Sequence, residues 1–506
     1  MVDKAVSVAS VPELTLVIDI GKSHAKLLIV DADGTVVERH GHDNASVPCA
    51  LGYPALDIAG LGDWMAQALR SSRHTAQCSR VIASTHGAAV VALADDGVAW
   101  PPMDYEFDGY VQDDTPGQAT SGVALAKAYA RERDAFAHTL SPDLPAGLNM
   151  ARQLYWVQHR HPQAWARTRC LLPYAQYWAW WLSGVAASER SSLGCHTQLW
   201  QPQLDQYSPL AKTQGWAALF APLRCAWEVL GPVRPALAQD WGLPAHCQVH
   251  VGVHDSNACL ARTLAGAQAD APHATPAAMG ATPAQALTVV SSGTWTVLMA
   301  PGAPTAALQA ERDMLCNVDV LGRATPTARF MGGREFAHLL DGAAPDAGTP
   351  ADLQNLLATQ TMALPSFARQ GGPFMDREGV VTLGTQLLAG ALSQGLSAGE
   401  RASLAALYCA QVTAWLVRSL WANTPAQSRS VVIEGPLAHN MLYLCILQAL
   451  LPDHTCQAST DAMEGTARGA WLLCHWPGAG GSYATPVQTC NAPGLSAYHA
   501  HWLAQL

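Results

Sequence analysis

No stretch of this chain is apolar for long enough to cross a bilayer. That takes ~20 consecutive residues, and every hydrophobic run here is shorter or interrupted. The opening residues, MVDKAVSVASVPEL, read as a loose tail and hold no long apolar core of the kind a secretory signal carries. The 13 cysteines are odd in number, and no two have CxxC spacing. That excludes the usual zinc and dithiol patterns and points to small core thiols in a reducing compartment. Charge is scarce, at 13% of residues against ~25% in an average domain. The net charge of −10 excludes the basic patch of a nucleic-acid binder. A cytoplasmic protein is expected, with neither nucleic acid nor membrane as a partner.

What is present is apolar surface, 49% of 506 residues. That is enough for two or more domains with large cores. Two stretches look like one device used twice. LTLVIDIGKSHAKLLIVDADG (14–34) and LTVVSSGTWTVLMAPG (287–302) are each an apolar run, a tight Gly turn with hydroxyl residues, and a second apolar run. Each reads as a β-hairpin whose turn presents backbone N–H groups and hydroxyls, a modest anion site. Two such turns in separate halves suggest a phosphate chain gripped from both sides. Gly-Lys-Ser at 21–23 is not a Walker loop, because position 16 is Leu where that motif requires Gly.

Between the hairpins, VHVGVHDSNACLARTL reads as a buried strand that ends at Asp255 and runs into a helix. Asp255 can serve as the base for a hydroxyl proton in phosphoryl transfer, or simply cap the helix. Further strands are expected at RVIAST and VVALADDG, a helix around 61–69, and helical structure over 115–186 with a buried Trp-rich stretch at 178–182. Helices near 402–420 and 440–450 and a strand over 430–440 follow. AGAQADAPHATPAAMGATPAQA (265–286) reads as a flexible surface insertion. The alternation of strands and helices indicates an α/β class.

Several residues carry two readings each. Asp19 can hold Mg²⁺ through water or cap its turn. Gly21 allows close backbone approach, and Lys22 and Ser23 can add a charge and a hydroxyl. His86, beside Gly87 at a strand end, can both donate to and accept from hydroxyls or be a satisfied core histidine, and His254 likewise. Asp104, Tyr105 and Glu106 form either a hydroxyl-binding group or a plain polar loop.

Taken in order, IDIGKSHAKLLIVD, ASTHGAAVVALADDG, the stretch from QLYWVQHR to WWLSG, GVHDSNA, SSGTW, and VVIEGPLAHN with GTARGAWLLC resemble the FGGY carbohydrate kinases over almost the whole chain. The resemblance implies the two-domain actin-like (sugar kinase/chaperone ATPase) ribonuclease-H-like fold with its cleft between domains. The sugar and first phosphate loop would fall in 12–264, the insertion in 265–286 and the nucleotide in 287–506. It also implies ATP and Mg²⁺ as cofactors, with Asp19 and Asp255 on the metal. Ser292, Gly293 and Thr294 would cradle the phosphates. Gly332 and Gly333 would approach ribose or adenine, and Gly435 and Asn440 would frame the adenosine. Around Gly371 to Gly379, FARQGGPFMDREG resembles a loop between the domains. SSGTW after His-Asp-Ser is most similar to the rhamnulose and fuculose kinases. That implies phosphorylation of L-rhamnulose or L-fuculose at a primary hydroxyl, with Ala88, Ala89 and Trp100 as apolar neighbours of the sugar strand. A pentulose or polyol kinase (ribulose, xylulose) and a non-catalytic sensor are the alternatives, and the state is monomer or homodimer. The chain departs from the family pattern twice. PPMDYEFDGY stands where many members have Trp-x-Asp-x-Arg, and Glu-Gly-Pro stands where successive glycines are usual.

Overall fold

A run as apolar as LTLVIDI marks a strand covered on both faces. It forms β1 (Leu14–Ile20), and all its residues are buried. Leu16, Ile18 and Ile20 pack with Leu61, Met65 and Trp178, whereas Val17 joins Leu260, Ala467 and Leu472 on the other face. Side chains alternate along a strand, so Asp19 shares the face of Val17. The computed structural model describes residues 13–111, 121–269, 285–368, 371–422, 424, 428–461, 463, 465–477 and 484–506. The expected N-terminal tail lies outside them.

The first sheet continues with β2 (His24–Val30) and β3 (Val36–Asp43). Helix α1 (Ile58–Ser71) follows, capped by Asp57 accepting from the Gly60 N–H at 2.8 Å. Next come β4 (Cys78–Thr85), the Trp-rich helix α2 (Tyr174–Ser183), β5 (Val229–Pro232), β6 (Gln248–His250) and β7 (Val253–His254). The strand order is β5–β6–β4–β1–β2–β3, with β7 also on β4. β1, β2 and β3 form an antiparallel meander, and β4 lies parallel to β1. Helix α3 (Asp255–Ala269) leaves directly from β7.

The second sheet repeats this plan. β8 (Gln285–Ser292), β9 (Thr296–Met299), β10 (Leu315–Val318) and β11 (Ala324–Phe330) are joined by antiparallel pairing. Helices α4 (Gly332–Leu340) and α5 (Ala398–Leu420) follow, then β12 (Ser428–Glu434), α6 (Met441–Leu450), β13 (Thr455–Ser459), α7 (Gly465–Leu473) and β14 (Ala484–Pro486). The order is β10–β11–β9–β8–β12–β13–β14, with β12 parallel to β8. Both expected hairpins are therefore present, each at the start of its sheet and each followed by a parallel neighbour.

Three expectations change. The region 115–186 is not continuously helical: residues 140–149 are irregular and a short strand, Cys170–Pro173, pairs with Val90–Ala94. Its apolar Leu171 and Leu172 fit a buried strand as well as a helix turn. The strand expected over 430–440 ends at Glu434, because Gly435 and Pro436 turn the chain. Of the expected insertion 265–286, the first residues continue α3 to Ala269 and the last two begin β8; residues 270–284 lie outside the described residues. The cysteines are free thiols, most of them buried. No helix among the described residues is long and apolar enough to cross a membrane.

The halves are locked by α7, which packs along α3 and reaches β1 and β4 of the first sheet. A buried ionic cluster reinforces this contact. Arg262 of α3 bonds Glu434 at the end of β12 and the Ser459 hydroxyl at 3.1 Å, and lies 3.5 Å from Asp461. Arg468 of α7 holds Asp461 at 2.7 Å. Burial pushes the Glu434 carboxyl up to about 6, although Arg262 pulls it down.

Removing one partner of a buried pair leaves an uncompensated charge, at ~3–5 kcal/mol. Arg262→Met is therefore expected to lower stability by that order, read as a fall in the urea unfolding midpoint. A midpoint shift equivalent to less than ~1 kcal/mol, the range of an exposed pair, would show that the cluster does not lock the halves.

Candidate active site

Asp255 owes its position to β7. Val253 pairs with Ser84 and His254 with Thr85, so the first residue of α3 emerges beside the end of β4. Ser84 also pairs with Asp19. At ~4.8 Å per strand, Asp19 and Val253 are ~10 Å apart across this row.

His86 follows β4 and is tied to β1 by its N–H donating to Ile20 O at 2.9 Å. Its Nδ1–H donates to Gly87 O at 2.9 Å, which leaves Nε2 as an acceptor, buried and without a partner. Burial lowers its pKa, against the pull of the Asp255 carboxylate. A Cβ on Gly87 would lie 2.8 Å from His254 Nε2 and 2.9 Å from Cys195 Sγ; only glycine lets His254 sit there. His254 Nε2 stands 3.1 Å from Asp255 Oδ1, and Asn257 Nδ2 donates to Nδ1 at 3.3 Å. Burial pushes His254 down to about 4. With Asn257 donating to Nδ1, the ring proton is on Nε2, beside Asp255.

Asp255 Oδ1 also accepts from the Ser256 N–H at 2.5 Å and the Ser256 hydroxyl at 3.2 Å. Oδ2 makes no hydrogen bond among the described residues. The side chain keeps 31% exposure, toward the cleft. Burial raises its pKa, with His86 and the Ser256 bonds opposing. The result is an oriented carboxylate with one open oxygen, more basic than an aspartate in water.

Asp255, His86, Tyr105 and His254 form one wall of a cavity of about 310 Å³; Ser291, Ser292, Gly293, Trp295 and Arg329 belong to the other. The turn after β8 is gripped by glycines. A Cβ on Gly333 would strike Gly293 O, one on Gly332 would strike Thr296 Oγ1, and one on Gly435 would strike Ser292 O. Gly435 has φ 76°, ψ −161°, a region open essentially to glycine alone. The Cβ side of each of these three glycines is thus taken up by the turn itself. The Ser292 hydroxyl donates to Glu434 O and accepts from the Leu437 N–H at 3.0 Å, so it is committed within the protein. Gly293 and Thr294 are exposed at the tip, where their backbone N–H groups can meet an anion.

Other expected residues lie elsewhere. Asp19, Gly21, Lys22 and Ser23 are not among those lining the cavity. The Gly21 N–H donates to His24 O at 2.9 Å, and Asn44 holds the turn through Gly21 O and Ser23 O. Lys22 turns toward the residues expected for the sugar: Nζ is 2.7 Å from Asp104, 3.5 Å from Glu106 and 5.7 Å from the Tyr105 ring centroid. Asp104 is buried and accepts from Lys22, Ser46 and the Glu106 N–H. Burial would raise its carboxyl, but these bonds hold it below the usual range. Of the trio only Tyr105 lines the cavity, with its ring 5.3 Å from His86; Asp104 anchors it and Glu106 is exposed. Asn440 caps α6 by accepting from the Tyr443 N–H at 2.9 Å, and donates to Pro345 O at 3.2 Å. Ala88 faces the cavity. Trp100 does not; it is buried in the core with its Nε1–H on Thr168. Gly371 and Gly372 pack on Trp295 and Phe330 within the second half.

Sequence reasoning missed His196, Asn317 and Arg329, all of which line the cavity. For Arg329 a signal existed. In ATPTARF, Thr325, Thr327 and Arg329 alternate with other residues, the period of a strand with one polar face. His196 sits in an irregular loop with no periodicity to read.

A model of the carbohydrate kinase FGGY C-terminal domain matches residues 284–482. No curated protein sequence matches the chain. Among solved structures, a carbohydrate kinase from Novosphingobium aromaticivorans is similar at 33% identity and TM-score 0.81, covering 98% of each chain. A ligand-bound xylulose kinase from Lactobacillus acidophilus superposes with TM-score 0.71 at 12% identity, over 97% of this chain and 96% of that one. The Plasmodium falciparum glycerol kinase with ADP gives TM-score 0.68 at 9% identity, over 98% and 97%. The last two share the fold, the two-domain actin-like architecture with a cleft between its halves.

Gly435→Ala places a Cβ against Ser292 O in a backbone region that costs ~1–3 kcal/mol for other residues. It is expected to lower the melting temperature and weaken ATP binding in calorimetry, whereas Gly41→Ala, with nothing within 4 Å of its Cβ, changes neither. Wild-type ATP affinity in a folded Gly435→Ala variant would show that this turn does not hold the nucleotide.

Proposed function

We propose, for a chain that belongs to the FGGY carbohydrate kinase family and is thus a sugar phosphotransferase, that it moves the γ-phosphoryl group of ATP to the C1 hydroxyl of a 6-deoxy-ketohexose, L-rhamnulose ahead of L-fuculose. The observation that carries the chemistry is Asp255, with one open carboxylate oxygen, facing the exposed Gly293 turn across a single cavity. Phosphoryl transfer to an alcohol needs alignment, charge neutralisation and a base. In this reading the sugar lies along the wall of His86, Tyr105 and His254, and Asp255 takes the hydroxyl proton. The Ser256 N–H and hydroxyl hold the carboxylate in orientation, and the buried Nε2 of His86 accepts from a sugar hydroxyl. The Gly293–Thr294 backbone receives the phosphates. Residues 12–264 then form the sugar half and 287–506 the nucleotide half.

Among the described residues no group of three or more His, Cys, Asp or Glu could hold a metal. Mg²⁺ needs only one or two carboxylates when phosphate oxygens complete its shell, so the donor set fits a cation that arrives with ATP. Asp19 and Asp255 are the carboxylates that would hold it, and there it would offset phosphate charge. Asp19 shares the sheet face from which α3 springs, which supports this pairing.

The deoxy-sugar assignment draws support from the SSGTW and HDSNA motifs and from the apolar side chains of Ala88, Leu148 and Leu315 in the cavity lining, which suit a methyl group. One methyl or hydroxyl discriminates by only ~1–3 kcal/mol in an apolar pocket. In coupled ADP-release assays, L-rhamnulose is expected to give the highest kcat/KM, L-fuculose the next, and ribulose, xylulose, erythrulose and glycerol weaker turnover. A pentulose or polyol surpassing both deoxy sugars would overturn the sugar assignment and leave the kinase intact.

A further inference from the structure

Residues 86–130, which follow the strand leading to His86, hold no arginine; the guanidinium that lines the cleft comes from the other half of the chain. Arg329 pairs across β11 and β9 with Val297, which pairs with Ser291 of β8. Cross-strand partners share a face, so Arg329 lies on the cleft face of the second sheet. Its Nε and Nη2 donate to Asp313 at 3.0 and 3.1 Å, and it stacks 4.6 Å from the Trp295 ring centroid. These contacts fix the guanidinium and leave Nη1 with no hydrogen bond among the described residues. Thr327, two residues away on the same face, accepts from Asn317 Nδ2 at 3.1 Å. Asn317 is 3% exposed, lines the cavity, and has an Oδ1 with no partner. A buried amide oxygen left unpaired is costly, so this atom calls for a donor.

His196 lines the same cavity. It holds φ 51°, an uncommon backbone state for a non-glycine residue and one that clusters at functional sites. Asn149 Nδ2 donates to its carbonyl at 2.8 Å, and its own Nδ1–H donates to Leu148 O at 3.0 Å. Nε2 is therefore the acceptor end of a ring that lines the cavity. Burial, Arg329 and His254 push its pKa down to about 3, so it stays neutral.

We propose that Asn317, Arg329 and His196 form a second wall for the acceptor, reading sugar hydroxyls other than the one Asp255 deprotonates. The proposal rests on the sugar-kinase reading of the cleft. It assigns three specificity-determining residues, two of them from the nucleotide half, so the acceptor is fully read only when both halves enclose it. It also fixes the substrate class as a neutral polyhydroxylated chain. Asp313 already compensates Arg329, and Asp255 is the one carboxylate among the described lining residues. A sugar acid would bring a second anion with no free cation to meet it.

The test uses Asn317→Ala, His196→Gln and Arg329→Met in the full chain. L-rhamnulose and D-xylulose serve as probes, together with analogues lacking the C4 or C5 hydroxyl. Each variant is expected to raise the KM for sugar at least tenfold with the KM for ATP within twofold. The penalty that wild type imposes on at least one deoxy analogue should shrink toward none, a change that mere structural damage does not produce. An unchanged sugar KM, a matching rise in the ATP KM, or an undiminished deoxy penalty would overturn the proposal, as would preference for a sugar acid. If Arg329→Met fails to fold, Asn317→Ala and His196→Gln decide, with melting temperatures alongside. Calorimetric sugar titration repeats the comparison without turnover. Absence of sugar-dependent ADP release from wild type, with sugar binding retained, sinks the kinase reading and leaves the wall to be judged on binding. No sugar binding at all overturns both.

Discussion

The arrangement of the cleft depends on one buried ion pair, Arg262 with Glu434. Arg262 lies seven residues after Asp255 on α3, two helical turns or ~10 Å along one face. Glu434 ends β12, and its carbonyl receives the Ser292 hydroxyl. The next residue, Gly435, presses its backbone on the Ser292 carbonyl. A single short path therefore runs from the carboxylate on one half, through a helix and an ion pair, to the anion-ready turn on the other. Apolar packing of α7 on α3 would hold the halves together but could let them slide; a directional pair with fixed bonds sets their register. The cost is visible in Glu434, whose carboxyl burial pushes up to about 6.

The electrostatics of the cavity follow from how its polar groups are paired. Burial pushes the pKa values of His86, His196 and His254 below the usual histidine range. Arg329 is spent on Asp313 and Lys22 on Asp104. That leaves Asp255 as the group with both negative charge and an open oxygen. In the proposed reading Asp255 takes the hydroxyl proton, and the Nε2 lone pairs of His86 and His196 accept from sugar hydroxyls.

Local patterns made much of this legible in the sequence. The two hairpins showed themselves by apolar runs around a Gly turn, and Asp255 by its place between an apolar strand and a helix. What stayed hidden depends on partners distant in the chain. Lys22 and Asp104 are 82 residues apart, and Arg262 and Glu434 are 172 apart. Nothing near Lys22 reveals that its charge is spent on Asp104. Glu-Gly-Pro read as a departure from a glycine-rich pattern; in the folded chain its Glu supplies the ion pair and its Gly the close approach. The packing of Gly332 and Gly333 against Thr296 and Gly293 of the turn after β8 likewise joins residues about 40 apart in the chain. His196 gave no signal, because an irregular loop has no period.

Rapid-quench measurement of a single turnover, with ATP and sugar both saturating, is the most direct test of the central claim that Asp255 is the base facing the phosphate turn. Asp255→Asn keeps size and shape and loses the proton acceptor. General-base catalysis is worth ~10²–10⁴-fold, so the transfer step in this variant should slow by that factor while ATP and sugar still bind. A transfer rate within tenfold of wild type, in a folded variant, would contradict the assignment.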